Sequence, residues 1–133
     1  MYADSEKLSI ALTNLIENAI KYTPEGGRVR LTLRRENDFA VLSVSDSGVG
    51  IPKADWHRVF SKFFRASNVI RMETEGTGLG LFIVKNIIKH HGGEISFVSE
   101  EGNGTTFTFT LPFKKEFVLK EEKVGLEEFF ESV

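Results

Sequence analysis

The stretch LSIALTNLIENAIKY, residues 8–22, decides the fold that we predict for this chain. Its apolar side chains recur with the ~3.6-residue period of an α-helix and form one core-facing arc. The arc consists of Leu8, Leu12, Leu15, Ile16 and Ala19. A polar stripe of Asn14, Asn18 and Lys21 runs beside the arc, with Tyr22 at its edge. Because this stripe borders the buried face, it indicates a ligand cleft, with an ordinary solvated helix face as the alternative.

The composition indicates one domain with a sizeable core and excludes several classes of function. The chain has 133 residues with 17 basic and 19 acidic side chains, a net charge of −2, so we predict no nucleic-acid binding. No apolar run approaches the ~20 residues of a membrane span, and no signal peptide or lipidation motif is visible. The lack of cysteine excludes disulfides and thiol chemistry and suits a cytoplasmic location.

A β-hairpin is predicted after the helix, and its second strand ends on a carboxylate. Residues 28–35 alternate between apolar and polar side chains, which predicts a half-buried strand, and an antiparallel strand follows at 40–45. The inner face of the first strand would carry Val29, Leu31 and Leu33. The two-residue period of the second strand continues to Asp46, whose inward carboxylate needs a hydrogen-bond donor. Gly48 and Gly50, directly after it, permit a close backbone approach.

The middle of the chain combines cations with a glycine-rich loop. Residues 53–60 predict a short helix, whereas residues 61–75 lack periodicity, carry three cations and are predicted to be a mobile segment. The loop GTGLGL at 76–81 then leads into a helix that runs to His91. Backbone N–H groups at such a helix start favour phosphate. A last hairpin, with strands at 94–99 and 105–111, completes the predicted domain.

Four motifs, in order, resemble those of sensor histidine kinases. NLIENAIKYT at 14–23 resembles their N box, and DSGVGIP at 46–52 resembles their first glycine box. FSKFFR at 60–65 resembles the F box, and GTGLGL at 76–81 resembles the second glycine box. The resemblance covers residues 4–112 and is specific because all four motifs occur at domain-like spacing.

This resemblance implies the Bergerat ATP-binding fold. That fold is a two-layer α/β sandwich with a mixed, mostly antiparallel sheet and helices on one face. We assign residues 1–113 to this domain and residues 114–133 to a C-terminal tail. Apolar side chains at helical spacing in the acidic tail leave three interpretations open: a short amphipathic helix docked on its own domain, a partner site, or partial disorder.

The resemblance also implies ATP and Mg²⁺ as ligands. Asp46 would accept a hydrogen bond from the adenine amino group, and Asn18 would hold Mg²⁺ through its amide oxygen. Lys21 would contact phosphate, and Arg65, in a mobile ATP lid at 61–75, would lie near the γ-phosphate; both are the candidate catalytic cations. The other residues that we assign to ATP binding are Asn14, Tyr22, Gly48, Gly50, Ile51, Phe60, Gly76, Thr77, Gly78, Leu79, Gly80, Leu81 and Thr106.

A histidine kinase phosphorylates a histidine on a separate dimerisation domain, and a response regulator acts downstream. In the family that histidine precedes an acidic residue, a basic residue and a proline. His57, His90 and His91 lack this context, so we predict that the chain does not phosphorylate itself, and that His90 and His91 cap carbonyls. We expect a cytoplasmic domain without direct membrane contact, in a parent protein that could be membrane-anchored.

Two other functions remain open at this point. One is a serine kinase of the anti-sigma type, which shares the fold but is disfavoured by the F box and by the HHGG sequence after the last helix. The other is an ATP-gated binding module that transfers no phosphate.

Overall fold

The computed structural model describes residues 3–67 and 80–113. The elements, in order, are helix α1 (Ser5–Lys21), strands β1 (Val29–Glu36) and β2 (Phe39–Asp46), a 3-10 helix (Lys53–Arg58), helix α2 (Gly80–His90), and strands β3 (Ile95–Glu100) and β4 (Gly104–Pro112). Residues 76–79 of the glycine-rich loop, residues 68–75 of the predicted lid and the tail at 114–133 lie outside the described residues.

The four strands form one sheet in the order β1-β2-β4-β3, and each neighbouring pair is antiparallel. Helices α1 and α2 pack against each other, α1 also contacts β2, and α2 also contacts β4. The predicted two-layer α/β sandwich is therefore confirmed. The sheet, predicted as mixed but mostly antiparallel, contains no parallel pair among the described strands.

The core forms where the two helices meet the inner face of the sheet. In α1, Ala11, Leu15 and Ala19 are buried, and their spacing of four residues keeps them on one helix face. The buried residues of α2 are Ile83, Val84, Ile87 and Ile88. The strands contribute Ala40, Val44, Phe107, Phe109 and Leu111. Burial of each large apolar side chain contributes about 1.5–3 kcal/mol, so this pattern fixes how the helices sit on the sheet.

His91 links the start of α1 to the end of α2. Its Nδ1–H donates to the carbonyl oxygen of Ile87 at 2.8 Å, which confirms the predicted carbonyl cap for this histidine. Its Nε2 accepts from the backbone N–H of Asp4 at 3.0 Å. Asp4 is the N-cap of α1, where its carboxylate accepts from the N–H of Lys7 at 3.1 Å. Both helices are thereby held at one end of the domain.

The prediction of a half-buried β1 is wrong. All eight residues of β1 are exposed. Leu31 and Leu33 are 50% and 71% exposed, although they pair with Val44 and Leu42 and so share the inner face as expected. The helices lie over β2 and β4, so the inner face of this edge strand is left uncovered by the described residues.

Candidate functional site

A cavity of about 540 Å³ lies between α1, the start of α2 and the inner face of the sheet. It is lined by ten of the predicted site residues: Asn14, Asn18, Lys21, Tyr22, Asp46, Gly50, Ile51, Arg65, Gly80 and Leu81. These residues are far apart in the sequence, and the packing of the two helices on the sheet brings them together.

The polar stripe of α1 faces this cavity. Asn14, Asn18 and Lys21 all line it, and a Cβ placed on Gly80 would lie 3.7 Å from Oδ1 of Asn14. The amide of Asn14 therefore lies beside the start of α2. The ammonium of Lys21 lies 5.7 Å from the ring centroid of Tyr22, within the range of a cation–π contact. The prediction of a ligand cleft is supported over that of a plain solvated face.

Asp46 points inward from the end of β2, as its position in the strand predicts. Its Oδ1 accepts from the N–H of Gly48 at 2.9 Å and from the N–H of Thr105 at 3.2 Å. Partial burial raises the pKa of this carboxyl above its usual value, and the two backbone hydrogen bonds oppose that effect only in part. No described residue donates to Oδ2, so this oxygen can accept a hydrogen bond from a ligand in the cavity.

The glycine turn after Asp46 is held tightly against the rest of the domain. The N–H of Val49 donates to the carbonyl of Tyr22 at 3.2 Å, and the N–H of Ile51 donates to Oγ of Ser99 at 2.7 Å. Gly50 has φ of +70°, and a Cβ there would collide with the carbonyl oxygen of Glu100. Glycine at this position therefore permits both the left-handed backbone and the close approach.

Three predicted site residues do not line the cavity. Gly48 donates its N–H to Oδ1 of Asp46 instead. The ring of Phe60 packs instead against Phe97, with the centroids 5.9 Å apart. Thr106 lies on the opposite face of β4, where its hydroxyl contacts that of Ser45 at 2.8 Å. Gly76, Thr77, Gly78 and Leu79 lie outside the described residues.

Several lining residues were missed by the sequence reasoning. Thr105 faces the cavity, whereas the predicted Thr106 does not. Thr105 pairs with Asp46 in the sheet and therefore lies on the same face as Asp46. Glu17 also lines the cavity, and its position directly before Asn18 in the N-box-like motif was a usable signal. Phe64 and Ala66 line it on either side of Arg65.

Within the described part of the chain, no group of three His, Asp or Glu side chains could hold a metal ion. No helix among the described residues is long and apolar enough to cross a membrane.

The family described as histidine kinase-, DNA gyrase B-, and HSP90-like ATPase matches residues 3–115. The sensor histidine kinase WalK of Bacillus subtilis is 46% identical over 115 residues, which cover 85% of this chain and 19% of WalK. The solved catalytic domain of the histidine kinase ThkA is 36% identical with a TM-score of 0.73, over 86% of this chain and 72% of that one. Full-length ShkA in complex with AMPPNP is 34% identical with a TM-score of 0.70, over 83% of this chain and 22% of that one.

The chain spans 19% and 15% of the lengths of two of its curated relatives, WalK and CikA. The relatives WalK, CikA and SenX3 carry the name of histidine kinase, so the serine-kinase and ATP-gated alternatives are not favoured. The matched residues include the whole cavity and the whole described fold. The chain belongs to the histidine kinase-, DNA gyrase B-, and HSP90-like ATPases, and within them to the ATP-binding catalytic domains of sensor histidine kinases.

Proposed function

We propose that this domain binds Mg·ATP in the cavity and presents the γ-phosphate to a histidine on a separate dimerisation domain. One observation carries the proposal: a partly buried carboxylate with an available oxygen lines the same cavity as two amides and an ammonium. A nucleotide matches this set, because its base offers a donor and its phosphates attract cations. The cavity volume of about 540 Å³ lies within the usual ~300–1,000 Å³ of ligand sites.

Asp46 recognises adenine in this proposal. The exocyclic amino group of adenine donates to Oδ2, while Oδ1 stays bonded to the backbone N–H groups of Gly48 and Thr105. Ile51 and Tyr22 supply apolar and aromatic surface for the base and ribose. Guanine presents a carbonyl oxygen at the corresponding position, which would face an acceptor, so the same geometry rejects GTP.

Asn18 holds Mg²⁺ through its amide oxygen, with Asn14 supporting the same end of the nucleotide. The donor set fits this ion, since Mg²⁺ prefers oxygen ligands and keeps several waters and phosphate oxygens rather than a full protein cage. When bound, the ion neutralises negative charge on the phosphates. The further assignment of residues 76–79 to phosphate binding rests on the sequence motif and on the preference of helix starts for phosphate.

The side chains of this domain position and stabilise the transferring group. Lys21 and Arg65 line the cavity and supply positive charge where negative charge develops on the γ-phosphoryl group. The acceptor comes from elsewhere, because His91 is buried with both ring nitrogens hydrogen-bonded, and no histidine has the sequence context of an acceptor. A dimerisation domain of the same kinase supplies the histidine, and a response regulator receives the phosphoryl group from it.

The deciding experiment mixes this chain with Mg·ATP and a histidine-bearing dimerisation domain, then measures acid-labile phosphate on the partner. We expect transfer with Mg²⁺ and none with excess EDTA. The variant Glu36→Gln serves as a control, because it removes only an exposed ion pair with Arg34. Nucleotide binding without any transfer would favour an ATP-gated module, whereas acid-stable phosphoserine would favour a serine kinase.

A further inference from the structure

Asp55 is a buried carboxylate that does not line the cavity. It lies in the 3-10 helix and is 6% exposed. Its Oδ1 accepts from Nη2 of Arg58 at 2.9 Å. Its Oδ2 accepts both from the N–H of Ser67 and from the hydroxyl of Ser67, each at 3.0 Å. Both oxygens are therefore filled by donors from the chain itself.

These bonds hold a short stretch on which the cavity depends. Phe64, Arg65 and Ala66 all line the cavity, and Ser67 follows them directly. The guanidinium of Arg58, held by Asp55, also lies 5.4 Å from the ring centroid of Phe64. Asp55 therefore holds both ends of residues 64–67: it contacts Phe64 indirectly, through Arg58, and it bonds Ser67 directly.

We propose that Asp55 is a positioning residue, which fixes residues 64–67 against the cavity and so sets the place of Arg65 for phosphoryl transfer. The role given to Arg65 rests on the proposed function, whereas the anchoring itself rests on the hydrogen bonds. The N–H of Ser67 and the guanidinium of Arg58 also lower the pKa of Asp55, so that the anchor stays ionised at neutral pH.

The main test is Asp55→Asn, which keeps the shape of the side chain. Its amide nitrogen must face a donor, either that of Arg58 or that of Ser67, so one side of the anchor is lost. We expect kcat for phosphotransfer to the partner histidine to fall about 10-fold or more, since a displacement of ~1 Å can cost ~100-fold. Mg·ADP, which lacks the γ-phosphate, should bind within about 2-fold of wild type.

A double-variant cycle separates positioning from a general loss of stability. If Asp55 acts through Arg65, then Asp55→Asn combined with Arg65→Ala should be within about 2-fold of Arg65→Ala alone. If the separate fold-changes in kcat of Asp55→Asn and Arg65→Ala instead multiply in the double variant, the proposal is overturned. Glu36→Gln is the matched control, because it also removes a carboxylate from an arginine pair, but at an exposed site.

Two further measurements keep the proposal testable if the proposed function fails or the variant misfolds. Without nucleotide, amide exchange at residues 64–67 should be at least about 10-fold faster in Asp55→Asn than in wild type. Wild-type protein that binds no Mg·ATP would refute the proposed function, while this exchange result would still support the anchor. If Asp55→Asn does not fold, Ser67→Ala combined with Arg58→Met decides, because the pair removes the hydroxyl and guanidinium bonds and leaves only the N–H bond of residue 67. Unchanged kcat and unchanged exchange in this double variant would overturn the proposal.

Discussion

Replacement of Asp46 by asparagine tests the site most directly, because the structure predicts how the new side chain must sit. Oδ1 of Asp46 accepts two backbone N–H bonds, from Gly48 and Thr105. An asparagine keeps both bonds only if its carbonyl oxygen takes that place. Its NH₂ group then replaces Oδ2 and points at the ligand. The fold should therefore tolerate Asp46→Asn, while a donor now meets the donor of adenine.

The expected loss of ATP affinity follows from this mispairing. Leaving a buried polar contact unsatisfied costs about 1–3 kcal/mol, which corresponds to roughly 5- to 150-fold weaker binding. GTP should lose less or gain, because the new NH₂ group can donate to the guanine carbonyl oxygen. Calorimetric titration of wild type and variant with Mg·ATP and Mg·GTP measures both effects. Equal binding of ATP and GTP by the wild type, or unchanged ATP affinity in the variant, would refute the adenine assignment.

The pH dependence gives the same prediction a second readout. A proton added to Asp46 goes to Oδ2, because Oδ1 is occupied by two donors. The neutral hydroxyl then accepts from adenine more weakly than the carboxylate oxygen does. ATP affinity should fall as the pH drops through the pKa of Asp46, which burial raises above its ordinary value of 3.8. The Asp46→Asn variant should lack this step. The free energy of unfolding depends on pH with the opposite sign. The stabilisation that Asp46 contributes through its raised pKa is fully present below pH 3.8 and is lost as the pH rises through the pKa of the folded state.

Four other outcomes are expected. Asn18→Ala should abolish the Mg²⁺ dependence of ATP binding, which titration with and without EDTA would reveal, and undiminished Mg·ATP affinity would contradict the metal role. Arg65→Ala should lower the rate of phosphotransfer by about 10-fold or more while changing ATP affinity less, as seen in single-turnover kinetics, because its charge acts on the transferring group. Gly50→Ala should lower the free energy of unfolding by about 1–3 kcal/mol or more, whereas Gly102→Ala, with φ of +87° but open space around it, should cost less in the same denaturant titration. The chain alone should form no phosphohistidine with Mg·ATP, and mass spectrometry that found it on any of its histidines would contradict this.

Features of single elements that depend on local periodicity could largely be predicted from the sequence. The helical period of α1 correctly placed Leu15 and Ala19 in the core. The other predicted members of the arc, Leu8, Leu12 and Ile16, are only partly buried, and the buried Ala11 was not predicted. The inward direction of Asp46 followed from the two-residue period of β2. Both features are properties of single elements, so no knowledge of distant contacts was needed.

What the sequence could not predict depends on how elements meet. Alternation in β1 correctly sorts its side chains between two faces, but the exposure of Leu33 depends on where the helices lie across the sheet. Whether Thr105 or Thr106 faces the cavity depends on the register between β2 and β4, and more than 50 residues of sequence separate these two strands. A slip of one residue would exchange their faces, and no local pattern excludes such a slip.

The two inward carboxylates show why one of them marks the binding site. Asp55 has three donors from the chain, and its pKa is lowered; Asp46 has two donors on a single oxygen, and burial raises its pKa. Ionised Asp55 therefore stabilises the fold above pH 3.8, and this contribution is lost as the pH falls through its lowered pKa. Ionised Asp46 instead costs stability at neutral pH, because its burial is not fully compensated. A ligand that donates to Oδ2 of Asp46 would remove this cost, but only in the bound state. The incomplete pairing of Asp46 therefore favours adenine binding, whereas the complete pairing of Asp55 stabilises only the fold.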